Sequence, residues 1–337
     1  VPLSNDNILS NLRSALSFID LYSDDIIFGI LPPFHSFGFT VSGILGLVSG
    51  VRVFFSPDPT DGKRLANSFA RWHVTIMCGA PTFIKGMLKA ATKEQLASMR
   101  LCVTGAEKAP PELFEMLRNF EKPDCLIEAY GITECSPGIT MNPIGGVSKG
   151  VGVALPGIDL LIVHPETEAV LPTGERGLIL VRGPNVFKGY LNPGISSPFT
   201  TVKGEQWYKT GDLGFLDTEG ILTISGRMKR FIKMGGEMVS LASIEDALLQ
   251  MASRKKWPSE DGPALAVCAK ETPGEKTKIF LFTRFELSVD EVNVSLKEAG
   301  FSNLVKVSNV TKLPEIPIMG TGKINYRKLE SDLLANS

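Results

Sequence analysis

The chain has 337 residues, 43% of them hydrophobic and 21% charged, with a formal net charge of −1. That length suits two or three structural units with ample core. The charge balance gives no global reason to expect nucleic acid or an anionic membrane as partner. The five cysteines, at 78, 102, 125, 135 and 268, are odd in number and scattered among apolar neighbours. They read as reduced core thiols of a cytoplasmic protein, neither a disulfide framework nor a zinc site. The most apolar stretch, TVSGILGLVSGVRVFF, is broken by glycines, serines and Arg52 and is too short to span a bilayer. No charged-then-apolar signal segment opens the sequence.

The first element is a helix, with Ser4 as N-cap and an apolar stripe through Ile8, Leu12, Leu16 and Ile19. A sequence that begins this close to a helix is expected to be a fragment of a longer protein. From 51 to 130 strands and helices alternate. VRVFFSP, VTIMCGA, RLCVTGA and CLIEAYG read as strands, and DGKRLANSFARW, PTFIKGMLKAA, KEQLASM and PPELFEMLRNF as helices, two of them opened by proline. This rhythm predicts a parallel sheet buried on both faces.

From about 151 the helices disappear. DLLIVHPETEAVLPTGERGLILVRG and YKTGDLGFLDTEGILTISGR each read as a strand pair, which predicts a small antiparallel sheet or barrel. Near Arg227 a third, α+β unit begins. It comprises the hairpin RFIKMGGEMVS with Gly235-Gly236 at its turn, the helix LASIEDALLQMA, the strands ALAVCAK and KIFLFTRF, and the helix SVDEVNVSLKEAG with a capping box from Ser288 to Glu291. The sequence ends on IPIMGTGKINYRKL and a last short helix. Lys323 in that stretch is not a P-loop lysine, because Pro317 stands where the pattern needs glycine and Ile324 where it needs Ser or Thr.

Ligands of parallel sheets bind beyond the carboxyl ends of the strands, and three loops fall there: MCGAPT, VTGAEKAP and EAYGITECSP. YGITE gathers an aromatic ring, a glycine, a hydroxyl and a carboxylate, a set able to stack a base, admit a phosphate and hold a magnesium ion.

TGAE, YGITE, YKTGD, SGRMKRFIKMGGEMVS and GTGK occur in that order and together resemble the acyl-adenylate-forming (AMP-binding) superfamily. That superfamily includes fatty acyl-CoA and acyl-carrier-protein synthetases, luciferases and peptide-synthetase adenylation domains. LPPFHSFGFTVSG, TGAEK, YGITECSP, GPNVFKGYL and GRMKRFIKMGGEMVSL look most like the acyl-acyl-carrier-protein synthetase half of the bacterial bifunctional 2-acylglycerophosphoethanolamine acyltransferases. The resemblance implies an α/β fold with helices flanking a parallel sheet. Residues 1–150 would be the α/β part of the large AMP-binding domain, 151–228 a small antiparallel β-barrel, and 229–337 a mobile α+β domain. It also implies ATP and Mg2+ as cofactors, and a fatty acid activated as its adenylate. Phosphopantetheine, on acyl carrier protein or coenzyme A, would take the acyl group. A linked acyltransferase domain would use the thioester at the cytoplasmic face of the inner membrane.

The same resemblance implies roles for single residues. Thr133 matches the hydroxyl that contacts the α-phosphate and Glu134 the magnesium ligand. Tyr130 matches the adenine neighbour and Gly131 its backbone clearance. Gly105, Ala106 and Glu107 match the loop along adenine and acyl group. Asp212 matches the ribose-diol acceptor, with Ile224 and Arg227 also on the nucleotide side. Lys229 falls at the hinge, Gly236 at the pantetheine tunnel, and Lys323 at the lysine that serves adenylation alone. His35 is either a pocket wall beside the acid's carboxylate or a packed histidine. Phe34, Phe37 and Phe39 either line an acyl tunnel or belong to the core. Arg230, Lys233, Arg254, Lys255 and Lys256 are basic residues suited to an acidic carrier protein.

In the family a glycine- and hydroxyl-rich phosphate loop ending in Pro-Lys-Gly directly precedes a segment like VPLS, which here begins at Val1. The expectation is a truncated form with weak ATP binding and little adenylation on its own. The alternatives are a coenzyme A ligase, an amino-acid-activating domain, for which no aspartate stands ready to hold an amino group, and a non-catalytic carrier-binding fragment.

Overall fold

The computed structural model describes residues 1–105, 107–145, 149–234, 237–258, 263–270, 277–320 and 322–335. The chain divides into two compact units, Val1–Ile224 and Ser225–Ser337.

The first unit begins with α1 (Asn5–Leu16), whose N-cap Ser4 and Asn7 bond reciprocally. The buried α1 residues Asn7 and Asn11 reach far along the sequence. Asn7 Nδ2 donates to the carbonyls of Pro184 and Val186 at 2.7 and 3.0 Å, and Asn11 Nδ2 to that of Gly138 at 2.6 Å. Next come β1 (Ile26–Gly29), an eight-residue π-helical segment (Gly38–Leu45), α2 (Gly46–Ser49) and β2 (Arg52–Phe55). Then α3 (Gly62–Arg71), β3 (Ile76–Gly79), α4 (Pro81–Ala90), β4 (Leu101–Thr104), α5 (Pro111–Asn119) and β5 (Leu126–Gly131) alternate, as the sequence rhythm predicts.

Two antiparallel strands, β6 (Gly138–Met141) and β7 (Val153–Ala154), extend the sheet, giving the seven-stranded order β2-β1-β3-β4-β5-β6-β7. The strands from β2 to β5 are parallel. Successive residues point to opposite faces. Phe28, Met77 and Cys102 meet the three helices α3, α4 and α5, while Ile27, Cys78 and Val103 enter a second core. KEQLASM is not a helix. Thr92 and Gln95 cap each other, but the backbone then makes only three-residue turns, Leu96 N–H to Lys93 O, Ala97 N–H to Glu94 O and Met99 N–H to Leu96 O. The segment is too short to repay the nucleation cost of a helix.

The second core also holds side chains from an antiparallel sheet. Its strands are β8 (Asp159–Val163), β9 (Gly177–Arg182), β10 (Phe199–Val202) and β11 (Glu205–Leu216) in the order β10-β11-β9-β8, with β12 (Leu222–Arg227) beside β11. All five cysteines are buried and free, and burial pushes the Cys78 thiol up to about 12. No helix among the described residues is long and apolar enough to cross a membrane.

The second unit has the hairpin β13 (Phe231–Met234) and β14 (Glu237–Ser240), then α6 (Leu241–Lys255), β15 (Leu265–Lys270), β16 (Lys278–Thr283), α7 (Val289–Glu298), β17 (Val307–Lys312) and α8 (Tyr326–Ala335). Strands β15, β16 and β17 form a three-stranded sheet. Ser288 caps α7 as expected by accepting the Glu291 N–H. The Glu291 carboxylate, however, accepts from Trp257 Nε1 at 3.2 Å.

The amino ends of β1, β3 and β4 are tied by one buried carboxylate. Asp25 accepts from Thr75 Oγ1 at 2.7 Å, Arg100 Nε at 2.7 Å and the Tyr22 N–H at 2.8 Å, and Arg100 lies 4.7 Å over the Tyr22 ring. Burial works against ionisation of Asp25, but these donors and the Arg100 charge outweigh it and hold the carboxyl below its usual value. A lowered folded-state value contributes stability above the unfolded carboxylate's titration and loses it as pH falls. We therefore expect the wild-type protein to lose stability as pH drops below about 4. Arg100→Ala, which strands a buried charge, should cost about 3–5 kcal/mol in urea denaturation at neutral pH.

Candidate active site

Because β1, β3, β4 and β5 are parallel, their carboxyl ends share one edge, and loops of small and polar residues collect there. Buried Gly105 opens the loop after β4, where a Cβ would stand 2.9 Å from the Ala129 carbonyl. Buried Glu128 of β5 steadies the same loop by accepting the Ala109 N–H at 2.9 Å. After β5 the chain folds tightly on itself. Ile132 N–H donates to Pro137 O, Thr133–Cys135 forms a single 3₁₀ turn, and the Ser136-Pro137 peptide is cis. A Cβ on Gly131 would lie 2.2 Å from the Pro137 carbonyl, so only glycine fits there.

This turn is tied to its surroundings through side chains. Thr133 Oγ1 and Ser36 Oγ share a hydrogen bond of 3.2 Å, which brings the loop after β1 to the one after β5. Tyr190 OH donates to Glu134 Oε1 at 2.8 Å, and Tyr208 hydrogen-bonds Tyr190 behind it. The Phe187 N–H donates to Glu134 O at 2.8 Å, and Asn185 Nδ2 to Cys135 O at 2.8 Å. These contacts hold the Glu134 carboxylate in one orientation.

Asp212, 4% exposed, sits in β11 where the register with β9 shifts between Lys209 and Leu213. Gly211 at φ 75° permits that bulge, which re-aims the aspartate out of the strand's alternation. Its N–H donates to Thr210 Oγ1 at 3.0 Å, and Tyr130 OH donates to its Oδ2 at 2.6 Å. Tyr130 therefore serves Asp212 through its hydroxyl. The resemblance had assigned only its ring. Burial pushes the Tyr130 phenol well above its usual value, and the Asp212 charge adds to the shift. Burial likewise raises Tyr208.

Gly105, Tyr130, Gly131, Thr133, Glu134 and Asp212 thus belong to connected parts of the first unit. Glu107 and Ile224 are half-buried there. His35 is half-buried in the loop after β1, its Nδ1 accepting the Phe37 N–H at 3.3 Å. Phe34 and Phe39 are exposed at 81% and 45%, so they are not core residues, whereas Phe37 packs on the core. Ala106 and Gly236 lie outside the described residues.

Arg227, Lys229 and Lys323 belong to the second unit, the first two exposed. Lys323 is half-buried. Its carbonyl accepts the Met319 N–H at 2.7 Å, and an Ile318–Ile324 bridge closes the turn. Arg230 is no exposed carrier-binding charge, because it is paired with buried Glu245 at 2.9 Å. Lys255 is likewise paired, with Glu298 at 2.9 Å. Sequence reasoning missed Ser36, Glu128, Tyr190 and Tyr208. Ser36 in LPPFHSFGFTVSG, Glu128 in EAYGITECSP, Tyr190 in GPNVFKGYL and Tyr208 in YKTGD each stand in a motif-bearing stretch, but nothing local marks their hydrogen-bond partners.

The model of the AMP-binding enzyme family matches residues 1–191, more than half of the chain. The chain belongs to the AMP-binding enzyme family. A long-chain-fatty-acid–CoA ligase of Bacillus subtilis is 30% identical over 340 residues, covering 98% of this chain and 58% of that protein. A 4-coumarate–CoA ligase of Petroselinum crispum is 30% identical over 324 residues, covering 92% and 57%. ATP-bound MatB from Rhodopseudomonas palustris superposes with a TM-score of 0.83 at 27% identity, over 98% of this chain and 64% of that one. O-succinylbenzoate coenzyme A synthetase from B. subtilis, with ATP and magnesium, gives 0.82 at 25% identity over 98% and 66%. The fold is thus that of adenylate-forming enzymes. The chain spans 58% of the length of the Bacillus relative.

In the folded AMP-binding unit, burial keeps the Tyr130 and Tyr208 phenols protonated beyond the range near pH 10 in which the unfolded chain ionises them. Each then lowers stability by about 1.4 kcal/mol per pH unit above that point. Alkaline difference spectroscopy over the range in which exposed tyrosines ionise, near pH 10, should give Tyr130→Phe and Tyr208→Phe the same folded-state phenolate amplitude as wild type.

Proposed function

We propose that the full-length protein activates a long-chain fatty acid with ATP and passes it to a phosphopantetheine thiol in two half-reactions. In the first, a carboxylate oxygen of the acid attacks the α-phosphorus of ATP. The new O–P bond forms as the bond to the bridging oxygen breaks, and pyrophosphate leaves. In the second, the thiolate attacks the acyl carbonyl, the C–S bond forms, the acyl–oxygen bond breaks, and AMP leaves.

The observation that carries this reading is the Tyr130–Asp212 hydrogen bond. It joins the loop bearing Thr133 and Glu134 to the bulge bearing Asp212, so one connected set offers a hydroxyl and two carboxylates. In this reading Thr133 donates to the α-phosphate and Asp212 accepts both ribose hydroxyls. Gly105, Ala106, Glu107, Gly131 and Ile224 border the nucleotide, Arg227 reaches its ribose-phosphate side, and His35 walls the acid pocket. Glu134, oriented by Tyr190, would hold magnesium. One carboxylate beside a hydroxyl fits that ion, which keeps waters and takes its other ligands from substrate phosphates; when bound, it supplies neutralisation of phosphate charge. Lys323 brings a compact positive charge to the reacting oxygens during adenylation only. Lys229 is the hinge between the two poses, and Gly236 lines the pantetheine path.

We infer acyl carrier protein as the acceptor from the resemblance along LPPFHSFGFTVSG, GPNVFKGYL and GRMKRFIKMGGEMVSL. The acyl group would then pass to a lysophospholipid through a linked acyltransferase domain at the cytoplasmic face of the bacterial inner membrane. A second reading, coenzyme A as acceptor, is favoured by the relatives named above, several of which are CoA ligases. Offering each thiol to the full-length enzyme with labelled fatty acid separates the two. Thioester on the carrier protein at least about tenfold faster than on coenzyme A supports the first reading, a difference of about 1.4 kcal/mol in barrier.

Lys323→Ala should lower fatty-acid-dependent pyrophosphate exchange by about 10²–10³-fold while sparing thioester formation from supplied acyl-adenylate. Equal loss in both steps would sink the assignment of Lys323. Glu134→Gln should raise the magnesium concentration needed for half-maximal exchange, and magnesium titration of bound ATP by calorimetry checks this independently of turnover.

A further inference from the structure

Arg230 stands next to Lys229 in sequence, yet its side chain turns inward. Its guanidinium donates to both oxygens of Glu245 at 2.9 and 3.1 Å and to the Val267 carbonyl at 2.9 Å. Its carbon lies 3.8 Å over the ring of Tyr326. Tyr326 OH in turn meets the two Glu245 oxygens at 3.0 and 3.1 Å, and the Val267 N–H donates to Glu245 Oε1 at 2.6 Å. Glu245 is 8% exposed, so a buried carboxylate is saturated by an arginine, a phenol and a backbone amide. Such a fork-and-stack arrangement fixes orientation as well as distance.

Tyr326 opens α8 three residues after Lys323. Between them, the Asn325 N–H donates to Pro317 O at 2.7 Å and Ile324 bridges Ile318. The contacts therefore run without a gap from Arg230 to the turn that carries Lys323. We propose that Arg230, Glu245 and Tyr326 are positioning residues for Lys323. They make the segment after Lys229 and the lysine turn one rigid piece, so that a rotation at Lys229 delivers Lys323 to a fixed place. The proposal rests on the reading that Lys323 acts in adenylation.

The experiment uses the full-length enzyme and measures each half-reaction alone. Tyr326→Leu removes both the ring and the hydroxyl, and should lower the kcat of pyrophosphate exchange about 10–100-fold, the effect of a misplacement near 1 Å. The KM for ATP and thioester formation from supplied acyl-adenylate should stay within about twofold of wild type, because neither depends on Lys323 in this account. Tyr326→Phe keeps the stacked ring and should cost less. It also provides the test if the leucine variant does not fold. In a Lys323→Ala background, Tyr326→Phe should lower exchange no further, since the two residues act as one unit. Losses that multiply in the double variant, or equal losses in both half-reactions, would overturn the clamp. If Lys323→Ala alone leaves exchange intact, the assignment of Lys323 fails instead, and the two failures are distinguishable.

Discussion

A strand buried on both faces can offer polar groups only at its ends, and this restriction governs the first unit. β1, β3 and β4 are buried at every position, with helices against one face and the antiparallel sheet sharing the core of the other. Their amino ends are closed by the Asp25–Arg100 pair. Polar chemistry is therefore confined to the carboxyl ends, where the loops can be glycine-rich, tightly turned and still hydrogen-bonded.

At that edge the unit uses tyrosines to hold carboxylates. Tyr130 donates to Asp212 and Tyr190 to Glu134. A phenol in these surroundings stays a donor over a wide pH range, because burial raises it. Each carboxylate thereby loses rotational freedom, which is the form of preorganisation that binding and electrostatic catalysis require. The second unit solves a related problem with Arg230, Glu245 and Tyr326, where the carboxylate is the hub and the aromatic ring the platform.

Much of this was legible in the sequence, for reasons that differ by element. The strands from β2 to β5 could be read because each is a short apolar run, and prolines at 81 and 111 mark helix starts. The GFTVSGIL segment could not be read as a π-helix, since glycines and β-branched residues erase any clear period. KEQLASM has a helix's cap without its length. Thr133, Glu134 and Asp212 stood out as chemistry-bearing residues in distinctive loops. The Tyr190–Glu134 contact spans 56 positions, and only the arrangement of the sheets brings it about. Arg230 read as one more exposed charge in a basic run, because no local pattern announces a glutamate fifteen residues on.

β2 is the outer strand of the seven-stranded sheet, paired on one side by β1. α2 lies against it through Gly46 and Val53, and Leu47 and Phe55 around it are 81% and 55% exposed. Among the described residues β2 has this one strand neighbour, and an edge strand with an apolar rim is a template for another strand. A lysine or proline placed along β2 is expected to change solubility while leaving Glu134 and Asp212 untouched.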